Sequence, residues 1–186
     1  MGISATREDF ITSSQATAYY LKAHFPGKRL YVCGTESLKQ ELRREGFPVT
    51  ESVEDTQVIV MGFDTELTFQ KLEDACILLG RGVDFLATNP DWVCPTSYGF
   101  VPDCGSVCEM LHRATGRRPK FIGKPEPEMA LLSMERCGCR AEETVLIGDR
   151  IYTDIACGVN AGLKILTKAS PILPIWVITT IRVKRM

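Results

Sequence analysis

Short apolar runs that end in glycine or a polar turn alternate along this chain with stretches of helical periodicity. Leu30-Tyr31-Val32-Cys33 reads as a strand closed by Gly34, and Thr56 to Met61 as a second one closed by Gly62. Phe85 to Thr88 is a third, ending at Asn89-Pro90-Asp91, and Val145-Leu146-Ile147 is a buried parallel strand ending at Gly148-Asp149. Between these runs the spacing predicts helices from Ser13 or Ser14 to about His24, over Glu36–Glu45 before Gly46, over Thr68–Leu79 before Gly80, and over Val107–Thr115 before Gly116. A helix over Glu128–Cys137 and another from Asp154 through Asn160, with Gly162 as its C-cap, complete the set. Trp92 to Cys104, punctuated by proline and glycine, reads as loop. Strand–helix alternation of this kind predicts an α/β fold with a parallel sheet.

Composition narrows the function classes more than the fold. The 186 residues are 45% hydrophobic and 24% charged, as in ordinary globular proteins. A net charge of −1 gives no electrostatic reason to expect nucleic acid or an anionic membrane as partner. No run approaches the ~20 apolar residues of a membrane span, and the first residues lack a signal-peptide pattern, so the expected location is cytoplasmic. Eight cysteines raise the question of zinc. There is no Cys-x-x-Cys, however, and neither Cys104 with Cys108 nor Cys137 with Cys139 has ligand-spaced partners in His24 or His112. Buried, reduced cysteines are the expectation.

The chemistry-bearing residues concentrate near the C-terminal end. Asp149 stands where the carboxyl end of the Val145–Ile147 strand opens into a crevice, the edge at which open α/β sheets bind ligands. Asp154 follows at a helix start, and two carboxylates there suit a hard cation such as Mg2+. The plainer reading makes Asp154 a helix cap and Asp149 a loop carboxylate. Lys124, set in Phe121-Ile122-Gly123-Lys124-Pro125-Glu126-Pro127, ends another apolar run at a turn fixed by glycine and proline. An ammonium beside an acidic pair makes a phosphate-plus-metal site, in which both cations neutralise phosphoryl oxygens.

Four strings in order resemble the haloacid dehalogenase-like phosphatases, in the branch of NagD and p-nitrophenyl-phosphatase type. They are Ile11-Thr12-Ser13-Ser14-Gln15-Ala16-Thr17, Ala87-Thr88-Asn89-Pro90-Asp91, Gly123-Lys124-Pro125-Glu126-Pro127 and Gly148-Asp149-Arg150-Ile151-Tyr152-Thr153-Asp154, and the likeness runs from residue 1 to about 166. The resemblance implies a partial Rossmann-like parallel-sheet core with an inserted α/β cap domain. It assigns residues 1–13 to a core remnant and hinge, 14–117 to the cap, and 118–170 to the second half of the core. It makes Lys124 the phosphate-site lysine, Asp149 a Mg2+ ligand and Asp154 the second acid of that loop, both catalytic and metal-binding. It also brings the cap loops, with Asn89, Asp91, Gly105 and Ser106, over a small phosphorylated metabolite.

Two features depart from the family. Its nucleophile lies in an Asp-x-Asp-Gly-Thr string that does not occur in these residues, so the chain reads as starting just before the cap of such an enzyme. Residues 171–186, with Pro171-Ile172-Leu173-Pro174 and a basic ending, read as an atypical tail from an altered frame or truncation, against the simpler reading of an extra strand. The expected activity is therefore Mg2+-dependent phosphomonoester hydrolysis, silent in this chain for want of the attacking carboxylate. A non-catalytic module that holds a small phosphorylated ligand, or forms a homodimer through the cap, is the alternative. A response-regulator receiver also combines acids with a lysine, but there the acids come first along the chain. Tyr31 to Glu36 lacks the spaced glycines of a dinucleotide loop. Cys104-Gly105-Ser106 resembles an anion cradle, which capping by Ser106 explains more simply.

Overall fold

The computed structural model describes residues 5–167 and 181–183. The chain divides into two compact units, one of residues 13–122 and one of residues 1–12 with 123–186.

The 13–122 unit is built on a five-stranded, wholly parallel sheet of β1 (Leu30–Cys33), β2 (Val49–Thr50), β3 (Val58–Met61), β4 (Asp84–Ala87) and β7 (Lys120–Phe121), in the order β2-β1-β3-β4-β7. β1 and β3 are buried along their whole length, which is why they read as unbroken apolar runs rather than alternating ones. The helices are α1 (Ser13–His24), α2 (Glu36–Arg44), α3 (Phe69–Gly80) and α4 (Cys104–Thr115). One core gathers Tyr31 and Cys33 of β1 and Ile59 and Met61 of β3 with Ala75, Leu78 and Leu79 of α3 and Cys104, Cys108 and Leu111 of α4. Each fully buried leucine among them contributes about 2 kcal/mol. Ser14 Oγ donates to Glu41 Oε2 at 2.6 Å and ties α1 to α2. Thr68 caps α3 by accepting from Lys71 N.

The sequence pattern and the structure part company at three places in this unit. Residues 92–104 are not loop but contain an antiparallel hairpin, β5 (Val93–Thr96) and β6 (Gly99–Pro102), turned at Gly99 with φ of 133°. Neither strand has a buried face, and Pro95 and Pro102 sit in them, as only edge strands allow, so no period-2 apolar signal exists to find. The start of α4 is capped by Asp103, whose Oδ1 accepts from Cys104 N at 2.6 Å, and Ser106 instead donates to Trp92 O at 2.5 Å. The unit also extends past residue 117 to Ile122, because Lys120 and Phe121 pair with Leu86 and Ala87 as the sheet's edge strand.

The second unit has a three-stranded sheet in the order β10-β8-β9, with β8 (Thr144–Ile147) parallel to β9 (Lys164–Leu166) and antiparallel to β10 (Ile181–Val183). α5 spans Glu128–Cys137, a π-helical turn covers Ile151–Ile155, and α6 runs Ala156–Asn160 with Gly162 beyond it at φ of 69°. Its core is Ala130, Leu146, Cys157 and Leu163. Of the expected atypical tail, all but Ile181–Val183 lies outside the described residues. No helix among the described residues is long and apolar enough to cross a membrane.

Candidate active site at the carboxyl end of β8

Strand β8 delivers Gly148 and Asp149 at its carboxyl end, and the chain then folds back so that Asp154 lies against Gly148. A Cβ at Gly148 would stand 2.2 Å from Asp154 Cβ and 2.8 Å from its Cγ, so only glycine admits that approach. The φ of Gly148 is not positive, and its role is this close contact rather than the sharp turn its position suggests. Asp154 is 2% exposed. Its Oδ2 accepts from Arg150 N at 3.3 Å and its Oδ1 from Lys124 Nζ at 2.6 Å.

Lys124 reaches this carboxylate from thirty residues earlier in the chain. Its turn is pinned from α6, where Asn160 Nδ2 donates to Pro125 O at 2.9 Å and Cys157 Sγ to Glu126 O at 3.2 Å. The Lys124-Pro125 peptide is cis, and Pro127 hands the chain to α5. The strand before Lys124, β7, belongs to the five-stranded sheet and β8 to the other, so the lysine and the acids do not leave neighbouring strands of one sheet. Asn160 and Cys157 carry no motif signal. Burial pushes the Cys157 thiol up to about 11, with Lys124 pulling the other way, so it serves as a neutral donor.

Asp149 is exposed, and its carboxylate has no hydrogen-bond or ion-pair partner among the described residues. Asp154, expected to share a cation with it, accepts hydrogen bonds on both oxygens, from Lys124 Nζ and from Arg150 N. No cluster of three or more His, Cys, Asp or Glu occurs among the described residues. This donor set does not fit a closed zinc site. It fits a hydrated hard cation, which takes one or two carboxylates and fills its remaining positions with water and phosphoryl oxygen.

The four expected substrate-loop residues form a joint between the β4 turn and α4. Asn89 Oδ1 accepts from Asp91 N at 3.0 Å, and Asp91 O accepts from Gly105 N at 2.8 Å. Ser106 N and Val107 N donate to Asp103 O. The first-turn N–H groups of α4 are thus spent on protein acceptors, and the anion-cradle reading of Cys104-Gly105-Ser106 falls. A Cβ at Gly105 would lie 2.2 Å from Pro90 O, which explains the glycine. Burial raises the Asp103 carboxyl above its ordinary value, against the opposing hydrogen bond from Cys104 N. Asp9, the other acid near a family string, accepts from Thr6 N at 2.7 Å and Thr6 Oγ1 at 2.9 Å, which hold its carboxyl below the usual range.

Comparison with known proteins gives the family and the fold. A haloacid dehalogenase-like hydrolase family model matches residues 1–48, and a HAD-hydrolase-like model matches residues 121–169. A solved structure described as a putative nagD protein is 34% identical with a TM-score of 0.84, covering 97% of this chain and 71% of that one. The chain belongs to the haloacid dehalogenase-like hydrolases, in the NagD-type phosphatase branch. The acid sugar phosphatase of Staphylococcus aureus strain MRSA252 is 36% identical over 163 residues, 88% of this chain. This chain spans 62% of that relative's length. The glycerol phosphate phosphatase Rv1692 of Mycobacterium tuberculosis, solved with calcium, is 34% identical with a TM-score of 0.83, over 90% of this chain and 49% of that one.

Proposed function

We propose that these residues are the phosphate- and cation-binding half of a phosphomonoesterase acting on small phosphorylated metabolites. The observation that carries the reading is the Lys124 Nζ–Asp154 Oδ1 contact of 2.6 Å at the carboxyl end of β8, with the unpartnered carboxylate of Asp149 five positions before Asp154. Asp154 fixes the ammonium of Lys124, whose side chain keeps 26% exposure and so remains able to meet a phosphoryl oxygen. Asp149 would hold a divalent cation, for which Mg2+ is the natural choice, and that ion would supply the remaining neutralisation of the phosphoryl charge. Gly148 and Asn160 set the spacing of the two cationic centres by fixing the loops that carry them.

Phosphoryl transfer through a covalent intermediate also needs a carboxylate that attacks phosphorus. No Asp-x-Asp string is present in the 186 residues, Asp154 is held by Lys124, and Asp9 is held by Thr6. The reading is therefore of a chain that binds phosphate and cation without turning a monoester over. The same lack favours the second reading, a non-catalytic module derived from the 14–117 cap that holds a small ligand or dimerises. Incubation of the purified chain with p-nitrophenyl phosphate and Mg2+ should release no nitrophenol, while calorimetry should show Mg2+ binding that Asp149→Asn abolishes. Turnover by the unaltered chain, or Mg2+ binding that survives Asp149→Asn, would overturn the assignment.

A further inference from the structure

The 13–122 unit contains a cavity of about 340 Å3 beside the carboxyl end of β2 and the first turns of α3, and nothing in the phosphatase reading uses it. Lys39, Glu51, Lys71, Asp74, Gln70 and Tyr31 are among its lining residues. The two lysines differ in their situation. Lys71 Nζ is saturated, donating to Asp64 Oδ2 at 2.8 Å, Glu66 O at 3.0 Å and Gly34 O at 3.3 Å. Lys39 is 9% exposed, yet among the described residues its ammonium has one partner, Glu51 Oε1 at 2.7 Å. That partner's side chain is 76% exposed. An ammonium carries three donors, and burying it is unfavourable unless they are met. Two donors of this cavity-lining ammonium are thus without a protein partner among the described residues, and its counter-ion is one that water can draw away.

The other wall is rich in acceptors. Tyr31 OH donates to Asp74 Oδ2 at 2.6 Å and Gln70 Nε2 to Asp74 Oδ1 at 3.0 Å, which fixes the carboxylate and leaves lone pairs on Asp74, on the Tyr31 oxygen and on Gln70 Oε1. A cation with spare donors facing a wall of fixed acceptors matches a ligand with an anionic group at one end and hydroxyls along its length. The volume lies at the small end of ligand pockets, which suits one sugar-sized molecule. We propose that this cavity is a second ligand site, taking a small anionic polyol with its carboxylate or phosphate on Lys39 and its hydroxyls on Asp74, Tyr31 and Gln70. Every residue invoked lies within 13–122, so the site stands independently of the chemistry at Lys124 and Asp149.

Titration calorimetry of the full chain tests it with gluconate, glucose 6-phosphate and, as the neutral comparison, glucose. Gluconate carries no phosphoryl group, so its binding reports this site apart from the one at Lys124. Either gluconate should bind the unaltered chain or glucose 6-phosphate should bind the Lys124→Met chain, and glucose should not bind, with the two anions distinguishing a carboxylate from a phosphate ligand. Lys39→Met should weaken the binding about tenfold, the worth of one charge-assisted hydrogen bond. Glu51→Gln alters an exposed side chain, should leave folding intact, and should tighten binding several-fold by removing the competing counter-ion. Lys124→Met should leave gluconate binding unchanged. Silence at millimolar concentration of both gluconate on the unaltered chain and glucose 6-phosphate on Lys124→Met, equal binding of glucose, no effect of Glu51→Gln, or loss of gluconate binding in Lys124→Met would each overturn the proposal.

Discussion

Gly148→Ala is the sharpest test of how the β8 loop is held. The added methyl would stand 2.2 Å from Asp154 Cβ, 2.8 Å from Cγ and 3.1 Å from Oδ2. The first of these atoms is fixed by the backbone, so no rotamer change relieves the contact, and the turn over residues 151–155 must shift. That shift takes Asp154 Oδ1 from Lys124 and Oδ2 from Arg150 N, leaving a carboxylate that is 2% exposed without two of its donors. Overpacking costs about 1–3 kcal/mol, and disrupting a buried pair about 3–5 kcal/mol. Because the turn is short and yields, about 3 kcal/mol is the expected local loss, a large share of the 5–15 kcal/mol typical of a domain. Gly158→Ala is the comparison, since its nearest atoms are Ile165 Cγ1 at 2.8 Å and Cδ1 at 3.1 Å, part of a side chain that can rotate. There about 1 kcal/mol is expected. Hydrogen exchange read by mass spectrometry on the full chain separates the two. Peptides from 144–166 should exchange much faster in Gly148→Ala and slightly faster in Gly158→Ala, while peptides from 30–61 should not change. If Gly148→Ala exchanges like the unaltered chain, or Gly158→Ala is the more disruptive, the close-approach argument is wrong.

Two further outcomes follow from the buried polar groups. Lys124→Met should destabilise the chain by about 2–3 kcal/mol, less than a fully buried pair would because the lysine is 26% exposed. Adding Asp154→Asn should recover part of that loss, giving a coupling of about 1–2 kcal/mol in a urea-unfolding double-mutant cycle. Burial pushes the Cys33 thiol from 9.0 up to about 12. Above pH 9 the unfolded chain gives up that proton while the folded one keeps it, so the unfolded state binds fewer protons and stability falls as pH rises from 9 toward 12. Urea midpoints at about pH 8 and about pH 10.5 should diverge in the unaltered chain and diverge less in Cys33→Ala.

What was legible in the sequence was whatever rests on burial. β1 and β3 show as apolar runs because both faces of each are covered, β4 because all of it but Asp84 is buried, and β8 although Val145 is half-buried and Ile147 exposed, while Glu128–Cys137 shows as a helix closed by Gly138 in a left-handed conformation at φ of 63°. The hairpin over 93–102 escaped because pairing, not burial, defines it. The two residues of β2 were too short a run to register. At the site, the strings around Lys124 and Asp149 gave the residue types but not their division of labour. Sequence spacing put Asp154 with Asp149 as two ligands of one cation, since both follow one strand. The fold adds that Asp154 turns back onto Gly148 and meets Lys124, while Asp149 is exposed. That arrangement has a physical logic. On the proposed reading, a buried carboxylate paired with an ammonium would hold the lysine in place without competing for a cation, and an exposed carboxylate would bind one without first breaking a protein contact. Gly148 separates the two roles, and its substitution should couple them.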